Sequence, residues 1–279
     1  MRTLTTLLSV MLLAFTGMLA QADDHAAPTQ PVGMVYAMEV SDPPAFAAAM
    51  TKYWDSPTGK QSGGVAILRQ VVAAGESTIS HLVSVAHPSY DSMDASFALN
   101  AASADWAAFL SEVEGIATVV TSSVFEGTGL GSMKNNIGAG PGVATLYIFI
   151  SVSDPAQYAK SWQKMMGDAD LGETDTMLFA IPAGGVDDTT HVASISGKSV
   201  GTVMAQMNAN SADKAFQKFI KEAADIRTIE RKIVTVDLAV FGNTGGYRQS
   251  GGAAFDLPLT LPRSSRTLNL PALLSRTLF

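Results

Sequence analysis

The chain spells out one order of elements twice, and this repetition limits what it can fold into more than any other feature of the sequence. Ser41-Asp42-Pro43 recurs as Ser153-Asp154-Pro155, and HLVSV, opening at His81, recurs as HVASI at His191. Ser103-Ala104-Asp105 returns as Ser211-Ala212-Asp213. Three phrases in the same order at nearly constant spacing indicate an internal duplication, which fixes architecture before local propensity is considered.

The elements between these anchors match as well. MVYAMEV (34–40) and TLYIFISV (145–152) are strand-like, and each runs into Ser-Asp-Pro, where a capping side chain and an early proline start a helix. Phe46, Ala49, Met50 and Tyr53 form an i, i+3, i+4, i+7 stripe, and Tyr158, Trp162 and Met165 form its counterpart. Residues 64–74 and 78–87 predict a hairpin around Gly-Glu-Ser, echoed by 176–184 and 190–197. A second helical region follows from about Ser89 to Val113, broken near Ala102, with a partner from about Ser199 to Ala224. Within these regions Ser103 and Ser211 are expected to start helices. The strands 116–127 and 226–242 close the two copies.

Each copy therefore has the order β-α-β-β-α-β, which is ferredoxin-like. Such a unit carries helices on one face of its sheet, so the other face needs cover. The expected fold class is α+β, with two ferredoxin-like repeats, 33–128 and 143–243, packed sheet to sheet as an intramolecular α/β barrel. A Gly- and Asn-rich linker, 129–142, is expected to be flexible.

The ends differ in character. Residues 1–22 place one Arg before an apolar run from Leu7 to Leu19 and small residues at Ala20 and Ala22, the pattern of a signal peptide. The run is shorter than a membrane span, and export to a periplasmic or extracellular setting is expected. Residues 244–279 are expected to be a disordered or loosely docked tail. The sequence has no cysteine, so packing alone must hold the fold even in an oxidising compartment. The formal net charge is −7, and the leader and tail hold five of the arginines against one aspartate, which leaves the body more acidic still. Such a body repels nucleic acid, which is not an expected partner.

The strand-SDP-helix opening, the His-led third strand, the helical region HPSYDSMDASFALNAASADWAAFLSEV and the apolar closing strand resemble the dimeric α/β-barrel superfamily. That superfamily includes the antibiotic-biosynthesis-type monooxygenases and the stress-responsive A/B-barrel proteins. The resemblance covers roughly residues 33 to 243, and it implies two ferredoxin-like units forming a barrel within one chain. It brings no catalytic residue with it, because no signature active-site string is present.

Chemistry is sparsely marked. With no cysteine and only His81, His87 and His191 in the folded part, no metal-ligand spacing exists, and no metal or cofactor is expected. The linker glycines do not follow a strand and open a helix as a phosphate-binding loop requires. No G-x-S-x-G elbow occurs, and Ser80 and Ser84 are expected to point away from His81. The pairs Glu112/Glu114 and Asp187/Asp188 are expected to be solvated. His81 and His191 are the candidate site residues, because they hold one position in both copies and alternate with Val83 and Val85, or with Ala193 and Ile195.

If these two imidazoles point into the barrel near its pseudo-twofold axis, they suit acid/base or ligand-orienting work. The structural alternative is a strand-end histidine hydrogen-bonded to backbone. Two functions fit: an exported binding protein that holds a small apolar or amphipathic ligand between two sheets, or a cofactor-independent monooxygenase-like or lyase-like enzyme using a barrel-cavity histidine. No integral membrane span is expected, and a duplicated chain is compatible with a monomer or a homodimer.

Overall fold

The computed structural model describes residues 30–242 apart from residue 187; the expected signal peptide, the expected tail and Asp187 of the acidic pair lie outside the described residues. The first half runs β1 (Val32–Val40), α1 (Pro43–Asp55), α2 (Pro57–Gln61), β2 (Val65–Ala73), β3 (His81–His87), α3 (Tyr90–Ala101), α4 (Ala104–Val113) and β4 (Ala117–Ser132). The second runs β5 (Ala144–Val152), α5 (Pro155–Asp168), β6 (Asp175–Gly184), β7 (His191–Gly197), α6 (Val200–Ala212), α7 (Lys214–Glu222) and β8 (Arg227–Gly242). The short helix α2 has no counterpart among the described residues of the second half.

All eight strands close into one antiparallel barrel in the order β1-β3-β2-β8-β5-β7-β6-β4. The four strands of each half are neighbours, and the halves meet where β2 pairs β8 and β4 pairs β6. The expected barrel within one chain therefore forms, with its two four-stranded sheets joined edge to edge. The two sheets are hydrogen-bonded at both edges, so the barrel has no free edge and its inner faces enclose a common interior.

Helices cover the outer face. Phe46 and Met50 of α1 pack on Met38, Leu68 and Val83, while Tyr158, Trp162 and Met165 of α5 pack on Ile150, Leu178 and Ala193. These are the two predicted stripes. Each large side chain buried in this way contributes roughly 1.5–3 kcal/mol.

The predicted Ser-Asp-Pro starts form as expected. The Asp42 carboxylate accepts from the Ala45 N–H at 3.1 Å and that of Asp154 from the Gln157 N–H at 3.0 Å. Ser103 caps α4 through the Trp106 N–H at 3.1 Å, but Ser211 starts nothing. It lies in the last turn of α6, and Asp213 caps α7 by accepting from the Phe216 N–H at 2.8 Å. Ser103 and Asp213 are separated by the same offset as Trp106 and Phe216, which open the stripes behind them, so the caps are equivalent although the Ser-Ala-Asp phrases are not.

The segment from Met133 to Gly142, expected to be flexible, is fixed by two buried aspartates. The Asp175 carboxylate accepts from the N–H groups of Asn135 and Ile137 at 2.9 and 2.7 Å, and Asp237 Oδ2 accepts from the Gly140 N–H at 3.1 Å. The Gly142 N–H also donates to the Asp237 carbonyl at 2.9 Å. The segment thus forms a strap along the barrel, with Met133, Gly138 and Ala139 lining the interior. Among the described residues no helix is long and apolar enough to cross a membrane.

Candidate functional site

Strand alternation sorts β3 and β7 into two environments. Leu82, Ser84 and Ala86, with Val192, Ser194 and Ser196, line the barrel interior. His81, Val83, Val85 and His87 consequently lie on the outer face, as do His191, Ala193 and Ile195. The inward orientation on which a cavity role for His81 and His191 depends is therefore not met: Ser84 and Ser194, of the opposite parity, face the interior instead.

Both of these histidines make the same local contact. His81 Nδ1 lies 2.9 Å from Ser80 Oγ, and His191 Nδ1 lies 2.8 Å from Thr190 Oγ1. The two hydroxyls also accept from the N–H groups of Val40 and Val152, each at 2.9 Å. One joint is built twice, fastening the start of the third strand to the end of the first. Ser80 does not point away from His81, because it precedes the strand and escapes its parity. Burial holds both imidazoles below the usual histidine range, favouring the neutral ring.

The outer face of the first half holds a cavity of about 850 Å³ between the sheet and helices α1, α3 and α4. Tyr36, Met38 and Val85 form part of its floor, and Trp54, Phe109 and Asn100 part of its wall. The rings of Tyr53, Trp106 and Phe109 cluster there with centroids 5.1 to 5.5 Å apart. Phe97, Leu110 and Val119 also line it and are 44, 49 and 49% exposed, so the cavity opens to solvent along an apolar rim. The Tyr53 hydroxyl donates to Asn100 Oδ1 at 2.5 Å, leaving that amide as a positioned polar group on an apolar wall.

His87 also lines this cavity. Its side chain is buried, and Nδ1 has no hydrogen-bond partner among the described residues. Burial again holds the ring below the usual histidine range, so it is neutral near pH 7. Gly64 makes room for the ring: a Cβ there would approach His87 Cε1 to 2.7 Å and Nε2 to 3.1 Å.

The equivalent positions in the second half carry other side chains. His87 corresponds to Gly197, Met50 to Trp162 and Ser96 to Gln206. Trp162 is packed in a core with Tyr158 and Phe219, and Gln206 Nε2 donates to Asp170 O and Asn210 Oδ1, both at 2.7 Å. A histidine required by the fold would be present twice. His87 stands where the second half has Gly197, beside smaller side chains that leave space.

Inside the barrel is one buried ion pair. Arg69 Nε donates to Asp237 Oδ1 at 2.9 Å, and Nη1 donates to Ser84 Oγ at 2.6 Å. Burial pushes the Asp237 carboxyl up from the ordinary range, with Arg69 acting against it. The pair joins β2 to β8 across one seam between the halves, while the other seam carries Phe125 and Phe179 edge to face at 5.7 Å. Among the described residues no cluster of three His, Asp or Glu is arranged to hold a metal.

No protein-family model matches the chain, and no curated protein matches it. Solved structures do. The fold is similar to that of an anthrone oxidase-like protein, with a TM-score of 0.54 and 13% identity over 80% of this chain and 96% of the other. It is also similar to a monooxygenase-like protein from Fusobacterium nucleatum, with a TM-score of 0.53 and 12% identity over 76% of this chain and 94% of the other. At these identities the likeness shows the fold alone, an α+β barrel.

Proposed function

We propose that the chain is a cofactor-independent oxidase or monooxygenase-like enzyme, and that its chemistry takes place in the sheet-helix cavity of the first half. The observation that carries this reading is His87: a buried, neutral imidazole that lines an apolar cavity. An imidazole so placed suits proton abstraction from a carbon next to a carbonyl, and apolar walls favour a carbanion whose charge is spread over an aromatic system. Such a carbanion reduces dioxygen itself. For anthrone, the methylene carbon loses two hydrogens and gains one oxygen, giving anthraquinone, while the second oxygen atom leaves as water. The kinship in fold with an anthrone oxidase-like protein supports this choice by analogy.

This reading replaces the binding-only role and moves the base from His81 or His191 to His87. It keeps the small apolar ligand as substrate. We further read the two halves as duplicated ferredoxin-like units, on the strength of their matching element order and offsets, and the chain as exported, on the pattern of residues 1–22.

The test is oxygen uptake with anthrone, comparing the natural chain with Met50→Trp/Ser96→Gln/Tyr53→Met, which copies second-half residues into the cavity. The natural chain is expected to consume oxygen and form anthraquinone, and the refilled variant to lose at least tenfold in rate while keeping its Tm. Equal rates in the two proteins would remove the cavity from the reaction.

A further inference from the structure

We infer that the barrel interior is a second binding site, separate from the His87 cavity, and that it takes a small neutral molecule with an apolar body and one carbonyl oxygen. The interior cavity measures about 250 Å³. It lies on the other side of the sheet from His87, with Ser84 facing in and Val83 and Val85 facing out, so the two spaces do not share a wall side chain on β3.

Arg69 determines the chemistry. A guanidinium has five N–H donors. The Nε–H goes to Asp237 and one Nη1–H to Ser84, and among the described residues the other three have no hydrogen-bond acceptor. The side chain is only 8% exposed and borders the cavity, and buried donors on a charged group are costly to leave unmet. An acceptor that enters the cavity therefore binds against them. The Tyr147 ring, with its centroid 5.8 Å from the guanidinium carbon, helps hold the donors in place.

Charge and shape narrow the ligand. Asp237 already balances Arg69, so a carboxylate would bring an uncompensated charge into a buried space, whereas a ketone or ester oxygen would not. Phe125, Phe149 and Phe179 supply apolar wall for an alkyl or aryl body. The volume falls below the roughly 300–1,000 Å³ of sites for drug-sized ligands, which limits that body to a small one. The strap is tied to the same head group, since Asp237 holds Arg69 through Oδ1 and the Gly140 N–H through Oδ2.

The full chain is to be titrated with 2-nonanone and with nonanoate at pH 7.5, by calorimetry and by the NMR signal of the Arg69 Nε–H group. Expected are saturable binding of 2-nonanone with a shift of that signal, at least tenfold weaker binding of nonanoate, and unchanged ketone binding in Met50→Trp/Ser96→Gln/Tyr53→Met. Ser194→Phe, which fills the interior, is expected to weaken ketone binding at least tenfold. The inference is overturned if 2-nonanone does not bind, if the Arg69 signal stays still while it binds, or if nonanoate binds as tightly. The Arg69 signal is read in the natural chain, so the test stands whether or not Ser194→Phe folds. It also stands apart from the oxidase reading, because it requires no turnover.

Discussion

Replacing His87 with Ala is expected to lower kcat/KM for anthrone oxidation by about 10²–10⁴-fold, the usual worth of a positioned general base. The effect has a pH signature. Burial holds the His87 pKa below its ordinary value of 6.5, so on the proposed reading the natural chain should be fully active near neutrality and lose activity only as pH falls through that lowered value. The residual activity of His87→Ala should lack this acid limb. His81→Ala and His191→Ala should keep it, because those rings fasten strand starts and do not line the cavity. Stability follows the same sign. A ring kept neutral by the fold takes up protons more readily when unfolded, so its contribution is present above about pH 6.5 and is lost as pH falls toward the folded-state value. A rate loss shared equally by all three variants, with no change in pH profile, would reduce His87 to a structural residue.

Replacing Asp237 with Ala is expected to cost about 3–5 kcal/mol, because it leaves the Arg69 guanidinium buried without its counter-charge. The loss should exceed that of an ordinary surface ion pair for a second reason. Asp237 also receives the Gly140 N–H, so the strap is freed at the same time. The double variant Arg69→Met/Asp237→Leu removes both charges and should recover most of the loss, since a buried pair is often replaced by apolar groups without net cost. Equilibrium urea unfolding of the three proteins measures this. If Asp237→Ala loses less than about 1 kcal/mol, the range of exposed ion pairs, the pair does not join the halves as described.

Most of the fold was legible because repeated phrases carry repeated physics. The Ser-Asp-Pro caps, the stripes of α1 and α5 and the break near Ala102 all depend on neighbours close by in the chain, and all appear where the pattern puts them. Ser211 misled because a capping residue is recognised by its type, and Asp213, slightly further on, satisfies the same N–H groups from the position that the stripe requires. The strap was unreadable locally. Its glycines favour flexibility, and what fixes them is Asp175 and Asp237, which are distant in sequence.

The proposed site was not legible for a physical reason of its own. Residues that occur in both halves are those the fold needs twice, and His81 and His191 meet that requirement as strand fasteners. The proposed sites sit where the two halves differ. His87 opposite Gly197, Ser96 opposite Gln206 and Arg69 opposite Phe179 are all visible once the halves are aligned on His81 and His191.

The most direct measurement follows the imidazoles of His81, His87 and His191 by NMR in one sample while 1,8-dihydroxyanthraquinone, a product analogue, is added to the full chain. The ring signals of His87 should move in a saturable way, and those of His191, on the far half, should stay still. Movement of His191 with a silent His87, or no movement of either at saturation, would contradict a first-half site built around His87.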